Sequence, residues 1–274
     1  MITILLLIFA LVVEYIYDPI SNMKDTLVIN NVYKKYVSII KSYVSKKLIQ
    51  NILFPIILIV FILTSTYLLE HYMHIFFSFV LNLIILVYCL KPNEYNEKIE
   101  DIKFSIEHGK DIPEDNRLKY LTAGLSGKKS NDNITQITDN LFYNSTRNIF
   151  TVLFWFLFLG PAGCLGYIVL DYFIYEKDIH IDQKSKKELK IIIGLIEYIP
   201  VRLSAFSFAI VGNFENSLKA WKNLKSNINI HKGNIDLVNT IGLSSFEIID
   251  NNEQDNLLEK LSYIQTIISR SLLA

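Results

Sequence analysis

Two long apolar runs, each broken in its middle by residues that end helices, constrain this chain more than anything else in it. The first runs from Ile149 to Leu159, meets Gly160-Pro161-Ala162-Gly163, and resumes from Cys164 to Tyr175. The second runs from Ile191 to Gly212, is broken by Pro200, and carries Glu197 and Arg202 inside it. Proline lacks a backbone donor and its ring clashes with the preceding turn. Backbone freed inside a bilayer must find partners in protein or in a wet cavity. Charges at that depth are costly and mark function. A pair of interrupted apolar segments therefore points to a site near the bilayer midplane. The expected fold is all-α, a polytopic membrane helical bundle of about four to five membrane segments, two of them broken by Gly and Pro, with amphipathic cytoplasmic helices.

The share of hydrophobic residues, 51%, decides little by itself. Their distribution decides: apolar residues are blocked into long runs, and charges fill the stretches between. The lipid bilayer is the first partner this implies. A formal net charge of zero supplies no global field for nucleic acid. Cys89 and Cys164 both lie in apolar runs and form no C-x-x-C pair, so they read as small buried thiols. The apolar stretch from Met1 to Val13 lacks a basic leader and a small-residue cleavage site, so it is expected to be an uncleaved helix reaching about Tyr17.

Four regions follow from the pattern. Residues 1–91 hold N-terminal membrane helices, at 52–69 and 75–90 besides the first, with a basic amphipathic surface helix at 22–47. Residues 92–148 form a polar cytoplasmic loop with a helical start near 94–107. Residues 149–212 are the broken segments. Residues 213–274 carry two amphipathic helices, one marked by Phe214, Leu218, Trp221 and Ile228, the other by Leu257, Leu258, Leu261, Ile264, Ile268 and Leu272. His71 and His74 share a spacing that suits a helix face but lack a third ligand, so no metal is expected. Gly124 to Ser130 partly matches a phosphate loop, but Thr122 and Lys129 stand where Gly and Ser or Thr are needed, so it reads as a solvated turn. No cofactor is implied.

Lys and Arg place the basic loops in the cytoplasm. One conflict arises: if 149–175 spans once, the segment Glu176 to Lys190, with five lysines, lies outside. A re-entrant turn at Gly160-Pro161-Ala162-Gly163 keeps every basic loop inside and is the favoured reading, with a kinked single span as the alternative.

Glu197, Pro200, Ser204 and Ser207 fall near one helix face. Arg202 lies about 140° away on a straight helix. Two roles are open. Glu197, or Glu14 at the end of the first helix, pairs with Arg202 and locks the helices together. Alternatively Arg202 holds an anionic ligand, since guanidinium binds phosphate and carboxylate through two parallel bonds.

At these residues the chain resembles a known family. Arg147-x-Ile-Phe-x-Val-Leu-Phe-Trp-Phe-Leu-Phe-Leu-Gly-Pro-Ala-Gly163, then Glu197-Tyr-Ile-Pro-Val-Arg-Leu203 and Gly212-Asn-Phe214, is similar to the AmpE family. The resemblance is specific over 147–214 and looser toward Glu14. It implies a bacterial inner-membrane protein, non-enzymatic, acting as a sensory or signalling modulator in β-lactamase induction and peptidoglycan recycling. Its implied partners are a cell-wall amidase of the AmpD type or a muropeptide ligand. Its implied polar constellation is Glu14, Arg147, Gly160, Pro161, Gly163, Glu197, Pro200 and Arg202. Asn144, Thr146 and Ile168 depart from the family pattern, where similar proteins tend to have an acidic residue and an asparagine before the Arg147 position and many have an arginine after Tyr167. The resemblance also places AmpE in a superfamily with CobD/CbiB, whose adenosylcobinamide-phosphate synthase, an amide-forming ligase of cobalamin biosynthesis, is the alternative function. The polar motifs of that ligase, needed to hold phosphate and activate a carboxylate, are missing here.

Overall fold

The computed structural model describes residues 6–11, 35–36, 39, 47–72, 75–90, 92–108, 140–175, 183–224, 229–245 and 253–272. Glu14, His74 and the 124–130 segment lie outside them. Among the described residues the chain is helical throughout, with no strand, as its apolar periodicity requires. The elements are α1 (Lys47–Tyr72), α2 (Ile75–Cys89), α3 (Pro92–Glu107), α4 (Leu141–Ser145), a π-helical segment (Thr146–Phe150), α5 (Thr151–Tyr175), α6 (Gln183–Ile196), α7 (Tyr198–Val211), α8 (Phe214–Asn223), α9 (Ile230–Ser244) and α10 (Glu253–Ser271).

These elements divide into two compact units that alternate along the chain. Residues 1–91 and 151–193 form the first, and 92–150 and 194–274 form the second.

In the first unit α1 and α2 pack on α5 and on each other. Gly166 lets α1 approach closely, since a Cβ there would lie 2.6 Å from Ile59 Cδ1. The rings of Phe54 and Phe173 meet at 5.8 Å across the same contact. Cys89 and Cys164 are buried and unbridged.

The break in α5 is sharp. Gly160 has φ 64° and ψ −153°, outside the helical region and open to glycine alone at low cost. The following Pro161 forbids α conformation at the residue before it and starts the next half-helix, where a missing N–H is harmless. The two halves then come close: a Cβ on Gly163 would lie 2.6 Å from the Trp155 carbonyl oxygen. Eight residues of straight helix would hold these positions about 12 Å apart along the axis.

In the second unit α9 packs against α7, α8 and α4, while α10 covers α3, α4 and α7. The core joins Ile99 and Ile102 of α3, Phe142 of α4, Val201 and Phe208 of α7, Val238 and Ile241 of α9, and Ile264 of α10. The expected helix at 94–107 thus exists and buries its apolar face. So does the helix marked by Leu261, Ile264 and Ile268. The helix α9 was not expected from the sequence at all.

By length and apolarity, one helical run, Leu141–Tyr175, could cross a membrane, or two if the bent pair α6 and α7 counts as one broken span. The apolar stretches of α1 and α2, Leu53–Leu68 and Phe76–Cys89, are shorter.

Candidate functional site

The second apolar run breaks at Glu197, three residues before its proline. The ring of Pro200 clashes with a helical carbonyl four residues back, and Ile196 is the residue at which α6 ends. Pro200 itself sits in the first turn of α7, where its missing N–H is no loss. The two helices bend by 54° at this point.

A helix that stops early leaves carbonyls without donors. Asn234 of α9 supplies one, its Nδ2 donating to the Gly194 carbonyl at 2.8 Å. Gly194 permits the approach, since a Cβ there would lie 2.8 Å from the backbone nitrogen of His231. Asn229 caps α9 by accepting from the Lys232 N–H at 3.2 Å.

Glu197 is fully buried at the N-terminus of α7. The Tyr143 hydroxyl donates to its Oε2 at 2.9 Å. His231 Nδ1 lies 3.7 Å from the same oxygen. Tyr143 is itself held: its backbone N–H donates to Asn239 Oδ1 at 2.9 Å, and Asn239 Nδ2 donates to Asn140 Oδ1 at 2.9 Å. Glu197 stands at the N-cap position of α7, and its side chain makes no cap hydrogen bond there. One face of α9 thus presents His231, Asn234 and Asn239 to three different helix ends.

The face predicted to hold Glu197, Pro200 and Ser204 is the inward face of α7, and all three are buried. Thr146 Oγ1 donates to Ser204 Oγ at 3.0 Å, and Ser204 donates to the Val201 carbonyl at 3.0 Å. Ser207, further along, donates to the Ser271 carbonyl at 3.2 Å. Arg147 follows Thr146 in the π-helical segment and is 1% exposed. A π-helical turn often marks a working site, and a guanidinium cannot shed its proton to lower the cost of burial.

Arg202 stands apart. It is half-buried, and its Nη1 donates to the Tyr198 carbonyl at 2.8 Å and to Asn234 Oδ1 at 3.3 Å. Its guanidinium carbon lies 3.3 Å from the centroid of the Tyr198 ring. The expected ion pair between Glu197 and Arg202 is therefore not made: each residue uses other partners. The 140° between them on the helix is the reason, because the bend precedes Tyr198 and leaves the two on different faces.

Among the eight residues singled out from the sequence, Glu197, Pro200 and Arg202 gather at the start of α7, and Arg147 lies on the segment that Thr146 ties to α7. Gly160, Pro161 and Gly163 form the α5 break of the other unit, and Glu14 lies outside the described residues. Tyr143, His231, Asn234 and Asn239 are the residues that sequence reasoning missed. Among the described residues no three of His, Cys, Asp and Glu come together as metal ligands would.

Fold and site define a class: an all-helical protein of broken apolar helices that keep a carboxylate and a guanidinium buried. The chain matches the family model described as regulatory signalling modulator protein AmpE over residues 4–258. It belongs to the AmpE family. No curated protein and no solved structure matches it.

Proposed function

We propose that this chain is a multi-pass protein of the bacterial inner membrane that modulates β-lactamase induction and peptidoglycan recycling without itself catalysing a reaction. The family match over 4–258 carries this reading. The outer face of α7 supports the membrane part: Ile199, Leu203, Phe206 and Ile210 recur at helical spacing and are 50–56% exposed. With its inner face also largely apolar, α7 reads as a helix meant for lipid.

In this reading four to five segments enter the membrane, and basic loops lie in the cytoplasm. The short α1 and α2 apolar stretches count among the segments, and 149–175 turns back at Gly160. The close approach of Gly163 to Trp155 supports that turn. The signal is a muropeptide or an amidase of the AmpD type. Arg147 and the Glu197 network, with Glu14, Pro200 and the α5 hinge, are the parts that respond.

A deletion strain checks the reading. Cells lacking the chain should show altered β-lactamase induction or muropeptide turnover, restored by the wild-type gene. Purified protein in detergent should bind an anhydro-muropeptide or an AmpD-type amidase by calorimetry. Unchanged induction and turnover together with no binding of either would sink the proposal.

A further inference from the structure

We infer that Arg202 holds the phosphate of an anionic phospholipid whose acyl chains lie along the outer apolar face of α7. The inference rests on the membrane reading above and assigns a chemical class to the anion at Arg202.

Helical side chains point back toward the N-terminus. Arg202 does so: its Nη1 reaches the carbonyl of Tyr198, one turn earlier, at 2.8 Å. The charged head is drawn level with the break between α6 and α7, as a snorkelling arginine is at a membrane boundary, so in this reading the break lies at that boundary and not near the midplane as the sequence suggested. Tyr198, 44% exposed, lies beneath the guanidinium at 3.3 Å. Tyrosine is enriched at that boundary, and the stacked ring holds the plane of the fork.

Both hydrogen bonds of Arg202 come from Nη1, to Tyr198 O and Asn234 Oδ1. Among the described residues Nε and Nη2 meet no acceptor. These two donors form one edge of the guanidinium, the edge that takes two oxygens of a phosphate in parallel. The outer face of α7 beside Arg202 is apolar: Ile199, Leu203, Phe206 and Ile210 are all half-exposed or more. A soluble anion has no use for such a flank, whereas a phospholipid matches a cation beside an apolar track in both charge and length. Glu197, the nearest carboxylate in sequence, is buried on the inward face with Tyr143 and His231, so it does not compete for Arg202.

Native mass spectrometry of the full chain, released from detergent with added phosphatidylglycerol, phosphatidylcholine or glycerol phosphate, tests this. Wild type should retain phosphatidylglycerol about fivefold better than phosphatidylcholine, the worth of one cation at an anionic surface. Arg202→Gln keeps donors for Tyr198 O and Asn234 Oδ1 and removes the charge, so it should lose that preference while keeping its unfolding temperature. Equal retention by wild type and variant overturns the proposal, as does Arg202-dependent retention of glycerol phosphate without lipid preference. Photo-crosslinking phosphatidylglycerol on the unmodified chain serves if the variant fails to fold. Label in a peptide covering 198–210 is expected, and label confined to other peptides overturns the assignment. Release of the chain from membranes by alkaline carbonate would instead strike at the membrane reading itself.

Discussion

At the scale of single residues, the buried carboxylate of Glu197 accepts a hydrogen bond from one phenol hydroxyl. Tyr143→Phe removes the donor at 2.9 Å and leaves the ring in place. A buried acceptor that loses its donor costs about 1–3 kcal/mol. We expect Tyr143→Phe to lower stability by that amount in detergent unfolding, and Glu197→Gln to lower it less, because an amide oxygen still accepts from Tyr143. An unchanged Tyr143→Phe midpoint would mean that water or another donor replaces the phenol. The sequence marked Glu197 as a charge inside an apolar run, and the residue is buried. It did not mark the partners, which lie 54 residues before and 34 after. Pairing at such separations is fixed by helix packing and leaves no local pattern. Arg202 shows the same limit, since proximity in sequence suggested a partner that helix geometry then placed on another face.

Among the elements, local steric rules were readable and packing was not. Both breaks stand where proline and glycine require them, because a ring against a carbonyl is a clash between near neighbours. The second break was displaced to Glu197 because proline ends the helix before it rather than at its own position. The helix α9 escaped notice because Gly233, Asn234, Asn239, Thr240 and Gly242 dilute its apolar face and have poor helix propensity. Its cap at Asn229 was the available signal. The α5 hinge separates two kinds of glycine. Gly160→Ala meets no atom within 4 Å, yet its positive φ makes it strained, at about 1–3 kcal/mol. Gly163→Ala keeps a helical backbone and strikes the Trp155 carbonyl. We expect both to lower the unfolding midpoint. Leu159→Gly removes the Cβ that a methyl on Gly163 would meet at 2.7 Å, so it should relieve Gly163→Ala in part and Gly160→Ala not at all. Relief of both would show that crowding, not backbone strain, governs the hinge.

For the whole molecule, the decisive property is which solvent the apolar exterior meets. Phe206 is 50% exposed on the outer face of α7. In a water-soluble protein, a charge at such a position changes stability by no more than about 0.5 kcal/mol. In a bilayer, aspartate at the centre of a helix costs about 2.5–3.5 kcal/mol on insertion scales. Phe206→Asp should therefore sharply reduce the membrane-integrated fraction of expressed protein. Normal accumulation of a stable, water-soluble variant would contradict the membrane reading.

The alternation of the two units also sets a timetable for biogenesis. Helices α1 and α2 leave the ribosome 59 residues before the segment that begins with α5, which they pack against. At about 5–20 residues per second, they wait roughly three to twelve seconds with that face uncovered. During this interval the nascent chain depends on whatever shelters apolar surface near the ribosome. A ribosomal pause within 92–150 would lengthen that exposure, so the yield of this protein should respond to codon speed there more than in 194–274.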